Sequence, residues 1–226
     1  MSFRAVIFDL GGVVMPSPLD AFRAYEARHG LPGRFISEVV VGGGEDGAWS
    51  RFERGELDPA AFAEAFEAEC RAAGATVSVA DLLTEVGRDS QPRPAMLRAT
   101  REIRRHGLCT AALTNNWASG DGAAMGDRHP ELAASFDVVV ESAREGLRKP
   151  DPRIYELTCT RLAVAPDEAV FLDDLGANLK PARALGMTTI KVEDPASALA
   201  ALESVLGFPL ADPDGGDAAA PPPRHA

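Results

Sequence analysis

The chain has 226 residues, a length that fits one large domain or a core that carries a smaller insertion. Its hydrophobic content of 46% and charged content of 25% are typical of a soluble globular protein, and no apolar run approaches the roughly 20 residues that span a bilayer. The net charge of −11 argues against a nucleic-acid or anionic-membrane partner, because binding such polyanions requires a basic surface, whereas a phosphorylated small molecule needs only a local positive field.

The first predicted element is a short buried strand at residues 3–8, which is apolar at nearly every position. It ends at Asp9, and Gly11 follows two residues later. The prolines at 16 and 18 then exclude a regular helix directly after the strand. The strand is therefore followed by a carboxylate at the start of a turn.

Residues 15–92 carry helical rather than strand patterns. Helices are predicted at 19–30 and 59–73, with a glycine-rich loop at 42–47 between them. Trp49 and Phe52 fit either the core of this segment or a substrate-facing side. We therefore predict a helical domain at 15–92, inserted into a core formed by residues 1–14 and 93–210.

From residue 93 onward, predicted helices and strands alternate. The helices are at 94–106, 152–162, 179–185 and 196–206, and the strands at 109–113, 136–141, 170–173 and 188–192. This alternation predicts an α/β fold, a doubly wound parallel sheet with right-handed crossovers. Residues 211–226 are rich in proline, glycine, alanine and aspartate, which predicts a disordered tail.

Four segments place polar side chains just after predicted strands. They are Asp9, Thr114-Asn115-Asn116, Lys149-Pro150-Asp151 and Asp173-Asp174. The carboxyl ends of parallel strands open on one edge of a sheet, so we expect these side chains to meet there. Burying several carboxylates together is unfavourable unless a cation compensates. The pattern therefore predicts an oxygen-ligated site for a divalent metal.

In this order, the four segments closely resemble the motifs of the haloacid dehalogenase (HAD)-like hydrolase superfamily. Residues 113–117, 149–155 and 170–183 look like one branch of it. That branch includes the N-terminal phosphatase domain of bifunctional soluble epoxide hydrolases and the HAD-like domain of some acyl-CoA dehydrogenase fusions. The resemblance covers residues 3–210 and implies a Rossmannoid core with a small α-helical cap that closes over the substrate.

The resemblance implies that Mg²⁺ is the cofactor and that Asp9 is the nucleophile. Asp9 would attack a phosphoryl group and form an aspartyl-phosphate. Asp9, the backbone carbonyl of Gly11 and Asp174 would bind the metal, with Asp173 as a further or water-mediated ligand. Such oxygen donors match the preference of Mg²⁺.

The same resemblance assigns the phosphate-binding groups. The Thr114 hydroxyl and the backbone N–H that follows it, at Asn115, would hold a phosphoryl oxygen, and Thr114 and Lys149 would act in catalysis. Lys149 would neutralise the charge on the phosphoryl group. Asn178 would orient Lys149 or one of the two aspartates after the fourth strand. The implied partner is a small phosphorylated substrate.

The chain departs from the family pattern at Gly11. Active phosphatases of the family usually carry a second aspartate there, which protonates the leaving group and activates water. Its loss typically costs about 10²–10⁴-fold in rate. Three hypotheses follow: a Mg²⁺-dependent phosphatase that is slow or limited to good leaving groups, an impaired domain that binds a partner, and a metal-independent 2-haloacid dehalogenase.

Localisation is predicted from the cysteines and from the start of the first strand. The three cysteines, Cys70, Cys109 and Cys159, are far apart and lack metal-binding spacing, which indicates a reduced, cytoplasmic protein. The strand that begins at residue 3 leaves no room for a signal peptide. A monomer and a homodimer both remain open.

Overall fold

The computed structural model describes residues 2–88, 91–118, 122 and 125–210, so the predicted tail at 211–226 lies outside the described residues. Within them, parallel strands form one sheet: β1 (Ala5–Phe8), β2 (Cys109–Thr114), β3 (Val138–Glu141), β4 (Ala169–Asp173) and β5 (Thr188–Lys191). Their order is β3-β2-β1-β4-β5, which places β1 at the centre. The predicted α/β class with a doubly wound parallel sheet is confirmed.

Five helices of the described chain lie within the segment predicted as the insertion: α1 (Pro18–His29), α2 (Phe35–Gly43), α3 (Ala48–Glu53), α4 (Pro59–Ala72) and α5 (Val79–Arg88). The others are α6 (Pro94–Arg105), α7 (Met125–Arg128), α8 (Pro130–Ala133), α9 (Ser142–Glu145), α10 (Pro152–Leu162), α11 (Gly176–Ala184) and α12 (Pro195–Leu206), with a 3₁₀ turn at Pro166–Glu168. In the described part of the chain, no helix combines the length and apolarity that crossing a bilayer needs.

The central strand β1 is apolar throughout because both of its faces are buried. Alternate side chains of a strand point to opposite faces. Val6 and Phe8 belong to a core cluster that includes residues of α6 and α12, whereas Ala5 and Ile7 belong to a second cluster with residues of α10 and α11. The sheet therefore carries a helical layer on each face, and the loops that follow the strands lie at its carboxyl edge.

The five helices of the insertion, α1 to α5, have a hydrophobic cluster of their own. At its centre Trp49 meets Phe22, Phe62 and Phe66 edge-on, with ring centroids 5.1 to 5.5 Å apart. Trp49 is therefore a core residue of the insertion. This separate cluster supports the division into insertion and core, but the exact boundaries at 14/15 and 92/93 stay a prediction.

The structure differs from the sequence-based expectation within the insertion. Helices α2, α3 and α5 were not predicted, and Gly42 and Gly43, expected in a loop, are the last residues of α2. Glycine and β-branched residues favour helices weakly, so local sequence gives little signal here. Phe35 and Ile36 are buried in the insertion's cluster, and this packing stabilises the helix.

Candidate active site

Three of the predicted site residues meet at the carboxyl edge of the sheet. Asp9 directly follows β1, Thr114 ends β2 and Asp173 ends β4. The register of β1 against both neighbours brings these strand ends level, because Phe8 pairs with Ala112 on one side and with Leu172 on the other. All three polar residues are buried, with exposed fractions of 7%, 5% and 0% respectively.

Lys149 lies between two of the carboxylates. Its Nζ is 2.8 Å from Asp9 Oδ1 and 2.7 Å from Asp173 Oδ2. Asn178 Nδ2 donates to both oxygens of Asp173, at 3.0 and 3.1 Å, and the Leu175 amide donates to Asp173 Oδ1 at 2.8 Å. Asp173 is thus held in one orientation by three donors. Asn178 contacts this carboxylate, and through it acts on Lys149.

The charges at this edge are not balanced. Burial raises the pKa of Asp9 well above its ordinary value; Lys149 opposes that shift, and the Asp173 and Asp174 carboxylates add to it. Burial and the Asp173 charge also raise the pKa of Asp174. For Lys149, burial lowers the pKa, but the attraction of Asp173 and Asp9 outweighs it, so the net direction is upward. One ammonium group therefore faces more carboxylates than it can neutralise, and a further cation is favoured.

The carboxylates themselves form a candidate metal centre. Asp9, Asp173 and Asp174 each offer an oxygen, and these three atoms lie within 4.8 Å of one another. An all-oxygen set of this kind fits Mg²⁺. Asp174 is half-buried, and Ser17 Oγ donates to its Oδ2 at 3.3 Å. Asp174 is accordingly more accessible than Asp173, which is fully engaged with protein donors.

The turn after β1 is shaped to approach Asp174. Gly12 has a φ of 80°, and a Cβ at this position would lie 2.1 Å from Asp174 Oδ2. Only glycine fits such an approach. Gly11 precedes it and lines the cavity described below. The Gly11 carbonyl as a metal ligand stays a prediction.

Asn115 fixes the backbone of Lys149. The Lys149 amide donates to Asn115 Oδ1 at 2.8 Å, and Asn115 Nδ2 donates to the Lys149 carbonyl at 3.0 Å. Thr114 Oγ1 is 3.4 Å from the Asn115 carbonyl, a long local contact. The Asn115 side chain is thus engaged with the Lys149 backbone, and phosphate binding by the Thr114 hydroxyl and the Asn115 backbone N–H stays a prediction.

A cavity of about 680 Å³ opens between the insertion and this edge of the sheet. Leu10, Gly11, Thr114 and Asn115 line it from the core. Much of the remaining wall is apolar and includes Met15, Ala21, Phe52, Leu83, Val86 and Trp117. Trp117 stacks on Phe52 with ring centroids 5.5 Å apart and an interplanar angle of 21°. Phe52 and Trp117 thus belong both to the aromatic packing and to the cavity wall.

Two charged residues near the site were not predicted. Arg148 Nε donates to Glu53 Oε2 at 2.8 Å, and Asn115 Nδ2 lies 3.4 Å from the same oxygen. Arg148 directly precedes Lys149, so its proximity to the site could have been inferred. Glu53 lies 95 residues earlier in the chain and gives no local signal.

Comparison with known proteins shows the family of the chain. A family model of haloacid dehalogenase-like hydrolases matches residues 3–186. The chain is 44% identical to acyl-CoA dehydrogenase family member 10 of Mus musculus over 92% of its own length and 20% of that protein. It is 37% identical to bifunctional epoxide hydrolase 2 of Sus scrofa over 93% of its own length and 40% of that protein. The chain thus spans less than half the length of these two relatives.

A relative of similar length is the sesquiterpene phosphatase of Aspergillus oryzae, which is 26% identical over 91% of this chain and 98% of the relative. Among solved structures, a HAD family enzyme of Bacteroides thetaiotaomicron, crystallised with magnesium and inorganic phosphate, has the same fold. Its TM-score is 0.58 at 20% identity, over 85% of this chain and 97% of that one. The chain belongs to the haloacid dehalogenase-like hydrolases.

Proposed function

We propose that this hydrolase is a Mg²⁺-dependent phosphatase that works through an aspartyl-phosphate on Asp9. The observation that carries the proposal is the position of Lys149, whose Nζ contacts Asp9 and Asp173 beside a cluster of three carboxylates. A dehalogenase that needs no metal leaves this cluster unexplained. Phosphoryl transfer requires both the nucleophile and the positive charge.

In the first step, a carboxylate oxygen of Asp9 attacks the phosphorus atom and the bond to the leaving oxygen breaks. Lys149 stabilises the charge on the phosphoryl group, and the Thr114 hydroxyl would hold one of its oxygens. Mg²⁺, held by Asp9 and Asp174 with support from Asp173, would supply charge neutralisation between the nucleophile and the phosphate. In the second step, water hydrolyses the aspartyl-phosphate, which releases inorganic phosphate and restores Asp9.

The cavity supports a phosphate monoester with a largely apolar organic group as substrate. Its wall is apolar over the larger part, although Asp20 and Glu85 also line it, and about 680 Å³ is enough for a small organic molecule. The relative of similar length, a sesquiterpene phosphatase, is named for a substrate with an apolar organic group. With no side chain at Gly11, protonation of the leaving group falls to solvent, so activated leaving groups should react fastest.

The test uses an activated aryl phosphate with the purified chain and Mg²⁺. We expect turnover that EDTA abolishes and that the Asp9→Asn variant lacks, and a KM that falls as alkyl groups are added to the aryl ring. Turnover that persists in Asp9→Asn or in EDTA would refute the proposal. Halide release from 2-haloacids in EDTA would support a dehalogenase instead, and no turnover of either substrate would support a binding domain.

A further inference from the structure

Glu53, the last residue of α3, reaches from the insertion to the loops around the active site. Its Oε2 accepts hydrogen bonds from Arg148 Nε at 2.8 Å and from Asn115 Nδ2 at 3.4 Å. Its Oε1 accepts from the Trp49 indole at 3.0 Å. Glu53 is 8% exposed, so these contacts are made in a buried setting. A buried carboxylate with such partners is held in one position.

The contacts of Glu53 continue to the reacting atoms through the Lys149 backbone. Asn115, one of its partners, binds both the amide and the carbonyl of Lys149. Arg148, the other partner, is joined to Lys149 by a peptide bond. The ammonium group of Lys149 then contacts Asp9 Oδ1 at 2.8 Å. Both branches from Glu53 therefore end at the residue that holds the nucleophile.

The other end of this network is anchored in the insertion. Trp49, which donates to Glu53, is the centre of the aromatic cluster. Arg148 also binds a second carboxylate of the insertion, Glu45, with Nη1 to Oε1 at 3.1 Å. A shift of α3 relative to the sheet would break these contacts together. The orientation of Lys149 is thereby tied to the position of the insertion.

We propose that Glu53 is a positioning residue that couples the placement of the insertion over the cavity to the orientation of Lys149. The proposal rests on the proposed function, because Lys149 is assigned to phosphoryl transfer there. With α3 seated, Glu53 restrains Asn115 and Arg148, and these hold the Lys149 backbone. With α3 displaced, Lys149 is less restrained, and its ammonium group stabilises the charge of the phosphoryl group less effectively.

A purely structural Glu53 and a positioning Glu53 have different kinetic signatures. Loss of a structural contact in the insertion would weaken folding and substrate binding, and so raise KM. Loss of the restraint on Lys149 affects the transition state, so it lowers kcat while KM stays nearly constant. Misplacement of a reacting group by about 1 Å costs on the order of 10²-fold in rate.

The kinetic test compares Glu53→Gln with Glu56→Gln in the full chain, with an activated aryl phosphate and Mg²⁺. Glu56 is a matched control because it lies in the same insertion, bonds an arginine (Arg54 Nε, 2.6 Å) and is exposed. We expect kcat to fall about 10- to 100-fold in Glu53→Gln with KM within about twofold, and no change in the control. A rise in KM with kcat unchanged would overturn the coupling.

A double-mutant cycle tests whether Glu53 and Arg148 act together. If they act through one bridge, Glu53→Gln with Arg148→Gln should lower kcat no further than the more severe single variant. Independent, multiplicative losses would contradict the shared path. Should Glu53→Gln fail to fold, Arg148→Gln alone supplies the test, because an unchanged kcat in that variant also contradicts the coupling.

A second readout needs no catalytic activity. The Lys149 amide donates to Asn115 Oδ1, so its hydrogen exchange, resolved by NMR, reports the restraint directly. We expect exchange of this amide to quicken at least about tenfold in Glu53→Gln and to stay unchanged in Glu56→Gln. Unchanged exchange in Glu53→Gln would overturn the coupling. A wild-type chain without turnover would refute the proposed function alone, since the exchange result still decides the coupling.

Discussion

Gly11 stands where active phosphatases of the family usually carry their acid–base aspartate, and its surroundings oppose a side chain. A Cβ at Gly11 would lie 3.1 Å from Pro18 Cδ, closer than ordinary van der Waals contact. Pro18 is the first residue of α1, so it belongs to the connection into the insertion. An aspartate at position 11 therefore requires Pro18 to move by a few tenths of an ångström.

This contact determines how the missing aspartate should be restored. In a Pro18→Ala background, Gly11→Asp should raise the rate on alkyl phosphates by about 10-fold or more, because a carboxyl group can then protonate the leaving oxygen. Rates on activated aryl phosphates should change little. The rates of the two substrate types are compared by phosphate release. Gly11→Asn in the same background is the isosteric control, and an equal gain in that variant would contradict the acid–base explanation.

Asp9 and Asp174 also make stability depend on pH and metal. Burial raises the pKa of both carboxyls in the folded chain above the ordinary value of 3.8. Between 3.8 and the higher folded pKa, the native state binds more protons than the unfolded state, so the free energy of unfolding falls as pH rises. Mg²⁺ binds the deprotonated carboxylates and should offset this loss.

We therefore expect the Mg²⁺-induced rise in Tm to be larger at about pH 7.5 than at about pH 5, by several degrees. Thermal unfolding followed by circular dichroism, with and without Mg²⁺, measures it. Asp174→Asn should reduce the Mg²⁺ effect at the higher pH, since it removes a proposed ligand and a charge. A metal effect that is equal at both pH values would contradict the assignment of the site.

At the scale of the elements, Arg93 joins the two connections between insertion and core, which are the turn after β1 and the segment before α6. Its Nη1 donates to the carbonyls of Gly12, Val13 and Met15 at 2.9, 2.6 and 2.9 Å, and its amide donates to the Val14 carbonyl at 2.7 Å. Arg93 directly precedes α6, where the chain returns to the core. One guanidinium group thus fixes the turn that carries Gly12 against Asp174.

Replacement of Arg93 should loosen this junction. Arg93→Met keeps most of the apolar stem but removes the charged donor, and we expect the free energy of unfolding to fall by about 2 kcal/mol. Urea denaturation measures the change. Arg98→Ala, at an exposed position on α6, is the control and should alter stability by less than about 0.5 kcal/mol. Equal effects of the two substitutions would show that the carbonyl contacts contribute little.

The elements also show which parts of the fold are encoded locally. β1 and β4 were predictable because each is an apolar run that ends in a carboxylate. The proximity of Lys149 to Asp9 was implied by the resemblance of the ordered motifs to the family. Helix α2 was not predictable, because Val39, Val40 and the glycines carry weak helical propensity and its stability comes from packing. The contact of Glu53 with Arg148 spans 95 residues, so it follows from tertiary structure alone.

For the whole molecule, the net charge of −11 opposes the approach of a phosphate dianion. Under the proposed function, Lys149 and a bound Mg²⁺ would attract the same dianion, but at contact distance inside the site. Added salt distinguishes the two effects, because the Debye length falls from about 30 Å at 0.01 M to about 8 Å at 0.15 M. Salt in this range removes long-range repulsion and leaves short-range attraction largely intact.

KM for an aryl phosphate should therefore fall about two- to fivefold between 0.01 M and 0.15 M salt at saturating Mg²⁺, with kcat unchanged. Steady-state kinetics in sodium chloride measures it. Asp20, an exposed residue at the cavity wall, contributes to the repulsion, so Asp20→Asn should lower KM at low salt and weaken the salt dependence. If KM instead rises with salt, attraction reaches beyond the site, and the acidic surface does not govern substrate approach.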